Sequence, residues 1–208
     1  MRNNEEKNDL ELDKAVMYLD QGGIISFPTE TFYGLGVNPF NEKAVKRLFS
    51  IKGRDRNKPI LLLAGDKGML SQLVSGIPEC YVPLMDKYWP GPLTLLFPAG
   101  KNVNQLLTGG TGMIGIRVSS DPIVKRLLSL WCKPVTATSA NISGEPPAAT
   151  AGDVARIFGC QIDHIIDGGA TPAGLCSTIV GCEKGELTLV RKGKISFEEI
   201  VKLSHSKD

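Results

Sequence analysis

Residues 114–141, IGIRVSSDPIVKRLLSLWCKPVTATSAN, carry the pattern that decides the fold. Ile114–Val118 is an apolar run of strand length. Asp121 followed by Pro122 is a capping acid with proline at the first helical position. Ile123, Val124, Leu127, Leu128 and Trp131 then recur on one helical face. Val135–Thr138 is a second strand, ending in Ser139-Ala140-Asn141 and a Gly/Pro-rich loop to Pro147. Strands alternating with helices in this way predict a layered α/β domain.

The alternation extends in both directions. Leu12, Ala15, Val16 and Leu19 share a face of a first helix, expected to be capped by Asp9 and stopped by Gly22-Gly23. Gly23–Phe27 reads as a strand ended by Pro28, and Pro28–Gly36 as a loop. Asn41 caps a second helix that turns Val45, Leu48 and Phe49 inward. A buried strand covers Ile60–Ala64, helical patterns cover roughly 67–75 and 79–89, and Leu93–Phe97 is a strand. Downstream, Thr150-x-x-Asp153 is a capping box for a helix through Phe158. Ile162–Ile166 is a strand, and Thr178–Cys182 and Leu187–Arg191 form a hairpin about Lys184-Gly185. A last helix lies near 197–203. The hairpin makes the sheet mixed rather than purely parallel. No long linker divides the chain, so one domain is expected over 10–204, with residues 1–9 fraying.

Composition narrows the function. The 208 residues are 42% hydrophobic and 22% charged, which excludes a disordered chain. With 24 basic and 22 acidic residues the net charge is only +2, so anion binding has to come from local clustering. Five cysteines without a C-x-x-C spacing, and two histidines, make neither a disulfide framework nor a zinc pattern. Buried, reduced cysteines in a cytoplasmic protein are expected. No window nears ~18 consecutive apolar residues, so no membrane span is expected. The polar start, MRNNEEKND, lacks the apolar core of a signal peptide.

Four segments carry candidate chemistry. Lys52, Arg54, Arg56 and Lys58 lie within seven residues, between a helix and a buried strand. They form either a solvated turn or a shaped loop for a polyanion, with Arg offering a fork to phosphate and Lys a mobile charge. Thr136–Gly144 is rich in small hydroxyls after a strand, where ligands of α/β sheets gather, though Ser/Thr/Asn turns are common there too. Pro28–Gly36 combines hydroxyls, an acid and aromatics. Arg117 ends a strand of apolar neighbours, where a buried cation needs an anionic partner. Arg191 ends the hairpin as a rim residue or a phosphate contact. No Walker loop is present, and no G-x-G-x-x-G opens a helix after a strand. Ser139 has no His or Asp partner identifiable by spacing, and His164 and His205 fit no nucleophilic scheme. Cations and hydroxyls without an acid–base dyad suit phosphoryl or nucleotidyl transfer, which runs on positioning and charge neutralisation.

Taken together the motifs resemble those of the YrdC/Sua5 family. The resemblance rests on Phe27–Gly36, on Lys52-Gly53-Arg54 with Lys58-Pro59, and on Tyr88-Trp89-Pro90-Gly91-Pro92-Leu93-Thr94. Gly115–Val118, Thr138–Gly144, Ser177–Val180 and Arg191-Lys192-Gly193 complete it, in order over nearly the whole chain. It implies a single, strongly twisted mixed α/β sheet with a basic concave face, in the short form without a C-terminal extra domain. It implies synthesis of threonylcarbamoyl-AMP and pyrophosphate from L-threonine, bicarbonate or CO2, and ATP with Mg²⁺. The product would pass to a tRNA threonylcarbamoyl-transferase complex acting on adenosine 37, with tRNA itself a further candidate partner. By motif, Lys52, Arg54, Lys58, Met113, Ser139, Ala140, Asn141, Ala148 and Arg191 would surround ATP, with Lys52 and Arg54 catalytic. Thr31, Leu63, Arg117, Thr138 and Ser177 would hold L-threonine, Arg117 taking the carboxylate. No protein metal ligands are implied. Two positions depart from the family pattern: Lys58 stands where many relatives have Asn, and Leu63 where many have His. The rival readings are a non-catalytic module of the same fold that binds duplex RNA by its phosphates, and a carbamoyl-adenylate enzyme with another acceptor.

Overall fold

The computed structural model describes residues 2–205, with side chains described over 9–204. Helix α1 (Arg2–Asp20) leads into the hairpin β1 (Ile25–Phe27) and β2 (Gly34–Gly36). Then come α2 (Glu42–Lys52), β3 (Leu61–Leu63), the short α3 (Leu70–Leu73), α4 (Val82–Tyr88) and β4 (Leu93–Pro98). The short α5 (Gln105–Thr108), β5 (Met113–Arg117), α6 (Pro122–Trp131) and β6 (Val135–Ser139) follow. The chain continues through α7 (Ala151–Phe158), β7 (His164–Ile165), β8 (Thr178–Glu183), β9 (Glu186–Arg191) and α8 (Phe197–His205). The nine strands form one mixed sheet in the order β7-β1-β2-β6-β3-β5-β4-β8-β9. Its parallel pairs are β1 with β7, β3 with β5 and β4 with β8. The fold class read from the sequence is the one found.

Local signals explain most boundaries. Asn41 Oδ1 accepts from Ala44 N at 3.1 Å to start α2, and Gly53, at φ 55°, closes it in the left-handed region. Asp121 accepts from Ile123 N and Val124 N to start α6. Thr150 and Asp153 make the expected capping box. Asp9, by contrast, lies inside α1 and does not cap it; its carboxylate stands 3.5 Å from Arg126 of α6. The five cysteines are free, as expected, but not buried: Cys132 and Cys160 are exposed and the other three half-buried.

Strand alternation separates two apolar clusters. Ile114 and Ile116 of β5, and Leu93, Leu95 and Phe97 of β4, face one cluster with Val45, Leu48, Val154 and Phe158 of α2 and α7. On the opposite face α1 and α6 cover one half of the sheet, with Leu12, Leu19, Val124, Leu127 and Trp131 packed on Phe27, Leu63 and Val135. Each such side chain contributes about 1.5–3 kcal/mol relative to exposure. The other half of that face, where Leu61, Thr94, Gly115 and Ile179 point, stays open. Strand β6 joins the halves: Val135–Ala137 pair with β3, and Thr138 and Ser139 with β2.

Strand β2 departs from the expected loop. Gly34-Leu35-Gly36 pairs on both sides, with β1 and β6, and is fully buried. Gly36 is a steric necessity: a Cβ there would lie 2.6 Å from Thr136 O and 2.7 Å from the Phe27 ring. Glycine is a poor strand former, so propensity reads this strand as loop. Gly36→Ala is expected to destabilise the fold by about 1–3 kcal/mol through overpacking. Gly76→Ala, where an added methyl meets nothing within 4 Å, is expected to be near neutral. Urea midpoints of the two variants check this; equal midpoints would remove the steric argument.

Candidate active site

The open half of the sheet is a cavity of about 190 Å3 whose wall includes Thr31, Arg54, Arg117, Thr138, Ser177 and Arg191. Each element contributes through its geometry. Arg117 is the last residue of β5, on the side opposite Ile114 and Ile116. Arg191 ends β9. Thr138 and Ser139 are the β6 residues that have left β3 for β2. Arg54 sits just past the left-handed Gly53 that ends α2.

The arginines are held differently. Arg54 donates from Nε to Lys58 O at 3.2 Å and from Nη2 to Pro59 O at 2.7 Å. Arg191 Nη2 donates to Ser177 O at 2.8 Å and to Ser177 Oγ at 2.9 Å. Ser177 Oγ also lies 2.9 Å from Thr94 Oγ1. Arg117 is 4% exposed, and its Nε has no hydrogen-bond partner. Its nearest opposite charge is Glu30 Oε1, 3.5 Å from Nη1. Burial lowers all three guanidinium pKa values; Arg191's charge lowers that of Arg54 further, while at Arg117 the Glu30 carboxylate opposes the lowering and outweighs the effect of Arg191. Repulsion between the desolvated Arg54 and Arg191, which have no carboxylate partner among the described residues, is what an anionic ligand relieves.

Lys52 lies behind this wall rather than in it. It is 1% exposed, and Nζ donates to Ser139 O, to Asn141 O at 2.7 Å and to Asn141 Oδ1 at 3.2 Å. Three donors thus meet three oxygens of one segment, so direct phosphate contact would require an exchange of partner. Burial, with Arg54's charge adding, pushes the Lys52 pKa down to about 7. Ser139 Oγ donates to Asn141 Oδ1 at 2.6 Å, and Asn141 Nδ2 to Glu145 O. Ala140 and Ala148 are buried off the cavity. Ala140 N donates to Tyr33 O, Tyr33 N to Ala148 O, and Ala148 N to Ala140 O, so they tie the turn to the start of β2.

Thr31, Arg54, Arg117, Thr138, Ser139, Ser177 and Arg191 are therefore brought together as expected. Lys52 and Asn141 support them from beneath. Met113, half-buried at the start of β5, and exposed Lys58 are not on the wall. Leu63 is a correction: it is fully buried in the apolar cluster that α1 and α6 form on the sheet, and it is not on the cavity wall. Sequence reasoning left out Glu30 as the partner of Arg117, Ser119, which donates to Glu30 Oε2, and Cys176 and Thr94 on the wall. Thr94 was legible from alternation, between the core residues Leu93 and Leu95. The Glu30–Ser119 contact, across 89 residues, was not. Among the described residues no group of three His, Cys, Asp or Glu is arranged to hold a metal, and no helix is long and apolar enough to cross a membrane.

The family model for Sua5, YciO and YrdC proteins, described as "Telomere recombination", matches residues 17–193. The chain belongs to the Sua5/YciO/YrdC family. The threonylcarbamoyl-AMP synthase of Pyrococcus abyssi is 39% identical over 189 residues, 91% of this chain and 56% of that one. That of Coxiella burnetii is 37% identical over 177 residues, 85% of this chain and 95% of that one. The chain thus spans little more than half of the Pyrococcus and Bacillus subtilis enzymes and nearly all of the Coxiella one. A crystal structure of Pyrococcus abyssi Sua5 complexed with L-threonine superposes with a TM-score of 0.89 at 38% identity, covering 92% of this chain and 56% of that one. Escherichia coli YciO, at 24% identity and a TM-score of 0.83, shares the family's fold.

Proposed function

We propose that this chain forms L-threonylcarbamoyl-AMP and pyrophosphate from L-threonine, bicarbonate or CO2, and ATP. The observation that carries the reading is Arg117: a buried guanidinium with an unpartnered Nε, on the wall of a hydroxyl-rich cavity that holds two more arginines. Synthases of this name among its relatives, and an L-threonine complex of one of them, support it. Arg117 takes the amino-acid carboxylate, and Thr31, Thr138 or Ser177 addresses the side-chain hydroxyl. The freed amine captures CO2, losing a proton and forming a carbamate. A carbamate oxygen then attacks the α-phosphorus, and the bond to pyrophosphate breaks. Arg54 and Arg191 neutralise the leaving charge, and Lys52 holds the Ser139–Asn141 segment beside the nucleotide. Magnesium enters as part of the MgATP substrate. Among the described residues the one carboxylate paired with a wall arginine, Glu30, is committed to Arg117 and Ser119, so phosphate oxygens and water serve as the ion's ligands. The product is then available, in the cytoplasm, to a transferase complex modifying adenosine 37 of tRNA.

The test is ATP–pyrophosphate exchange. Exchange is expected to require both L-threonine and bicarbonate. L-valine keeps the branched shape and the carboxylate but leaves the wall hydroxyls unpaired, and should support about 10²-fold less. Exchange that proceeds without an amino acid, or equally with valine, would remove the reading.

A further inference from the structure

The cavity contains an asymmetry of charge. Arg54 and Arg191 face the space with backbone oxygens and one hydroxyl as partners. Arg117, in its own part of the wall, has a carboxylate partner instead. Glu30 Oε1 lies 3.5 Å from Arg117 Nη1, and Ser119 Oγ holds Oε2 from the far side. Both members of the pair are nearly buried, at 5% and 11% side-chain exposure. Each keeps one buried atom without a hydrogen bond, Glu30 Oε1 and Arg117 Nε. Such a loose pair is not explained by stability, since a buried ion pair with unsatisfied atoms contributes little. Glu30 is not on the cavity wall, so it acts on a ligand through Arg117 and through its field. The other nearby acid, Asp121, is occupied in capping α6.

We propose that Glu30 is the specificity-determining residue of the Arg117 part of the wall, setting its charge preference. With Glu30 in place the pair is net neutral, and the ligand that leaves it neutral is a zwitterion whose ammonium and carboxylate both sit in the field of the pair. A simple carboxylic acid would add an uncompensated negative charge beside Glu30. Without Glu30 the same part becomes a plain anion site. The selectivity is thus for an α-amino acid over its deaminated counterpart, obtained by placing a like charge against the wrong ligand. This rests on the threonine reading above.

The test compares L-threonine with (R)-β-hydroxybutyrate, which keeps the carboxylate, the hydroxyl and the methyl and lacks only the amine. Calorimetric affinities are measured for the wild type, Glu30→Gln and Glu30→Asp. The wild type is expected to prefer threonine strongly. In Glu30→Gln that preference should narrow by about tenfold or more, threonine weakening while the hydroxy acid tightens. Glu30→Asp keeps the charge and should keep the preference. An unchanged ratio in Glu30→Gln, including loss of both ligands in step, would overturn the proposal. Should Glu30→Gln not fold, the wild type decides: equal or tighter binding of the hydroxy acid overturns it, and a clear preference for threonine supports it. A wild type that binds ATP but neither acid would count against the threonine reading itself, which separates the two.

Discussion

Arg117→Ala is expected to lower threonine affinity by at least about 10²-fold while ATP affinity changes only severalfold. Two charge-assisted hydrogen bonds to a carboxylate, each about 1.5–3 kcal/mol, give that magnitude. The selectivity follows from position, since Arg117 ends β5 whereas the Lys52–Asn141 cluster stands behind β6. The variant should also lose stability, because Glu30 is left as a buried carboxylate without its cation. The double variant Arg117→Met with Glu30→Gln removes both charges and should recover the melting temperature, since replacing a buried pair by neutral groups is often neutral or stabilising. It should not recover threonine binding. Calorimetry with each substrate, beside thermal melts, checks this. Retained threonine binding with lost ATP binding would put the amino acid elsewhere in the cavity.

Lys52→Met should act on the other substrate. It leaves Ser139 O, Asn141 O and Asn141 Oδ1 without their shared donor, so the segment beside the nucleotide loses its anchor. A drop in ATP affinity of about 10²-fold is expected from two or three lost bonds to a charged donor, with threonine affinity nearly unchanged. The pKa supplies a second readout. Burial brings the Lys52 ammonium down to about 7, so raising the pH through that value removes one of its three donors and its charge. Wild-type ATP affinity should therefore fall as pH rises through about 7, a slope that Lys52→Met flattens. A variant that keeps the slope would assign it to another group.

Helix α6 shows how much local sequence can specify. A capping acid, a proline at the first position and apolar residues recurring on one face are conditions satisfied between Asp121 and Trp131, and the helix forms where they say. The same holds for α2 between Asn41 and Gly53, and for α7 with its capping box. The β8–β9 hairpin follows from a Lys184-Gly185 turn between two alternating runs. Arg117 was legible for a related reason, since alternation sets it opposite the core residues Ile114 and Ile116 of its strand; Arg191 was not, because it has the parity of Leu187 and Leu189 and only a bulge in the β8–β9 pairing sets it against Ile179 on the cavity side.

What remained out of reach depends on partners distant in the chain. The strand Gly34-Leu35-Gly36 exists because β1 and β6 pair with it on both sides, and Gly36 is required because Phe27 and Thr136 leave no room for a Cβ there, a fact of three-dimensional packing that propensity reads in the opposite sense. Leu63 and Leu61 share one face of β3, yet α6 covers the first and leaves the second on the cavity wall; nothing local distinguishes them. Lys52, counted from its motif as a phosphate ligand, spends its three donors on a loop 87 and 89 residues away. The amino-acid sequence by itself determined the elements, their caps, the mixed α/β class and the cations available to the site, because these rest on interactions within a few residues. Only the tertiary structure decided which cations face the ligand, which hold the wall, and that Glu30 stands behind Arg117, because burial and charge pairing are set by neighbours that folding, not sequence proximity, brings together.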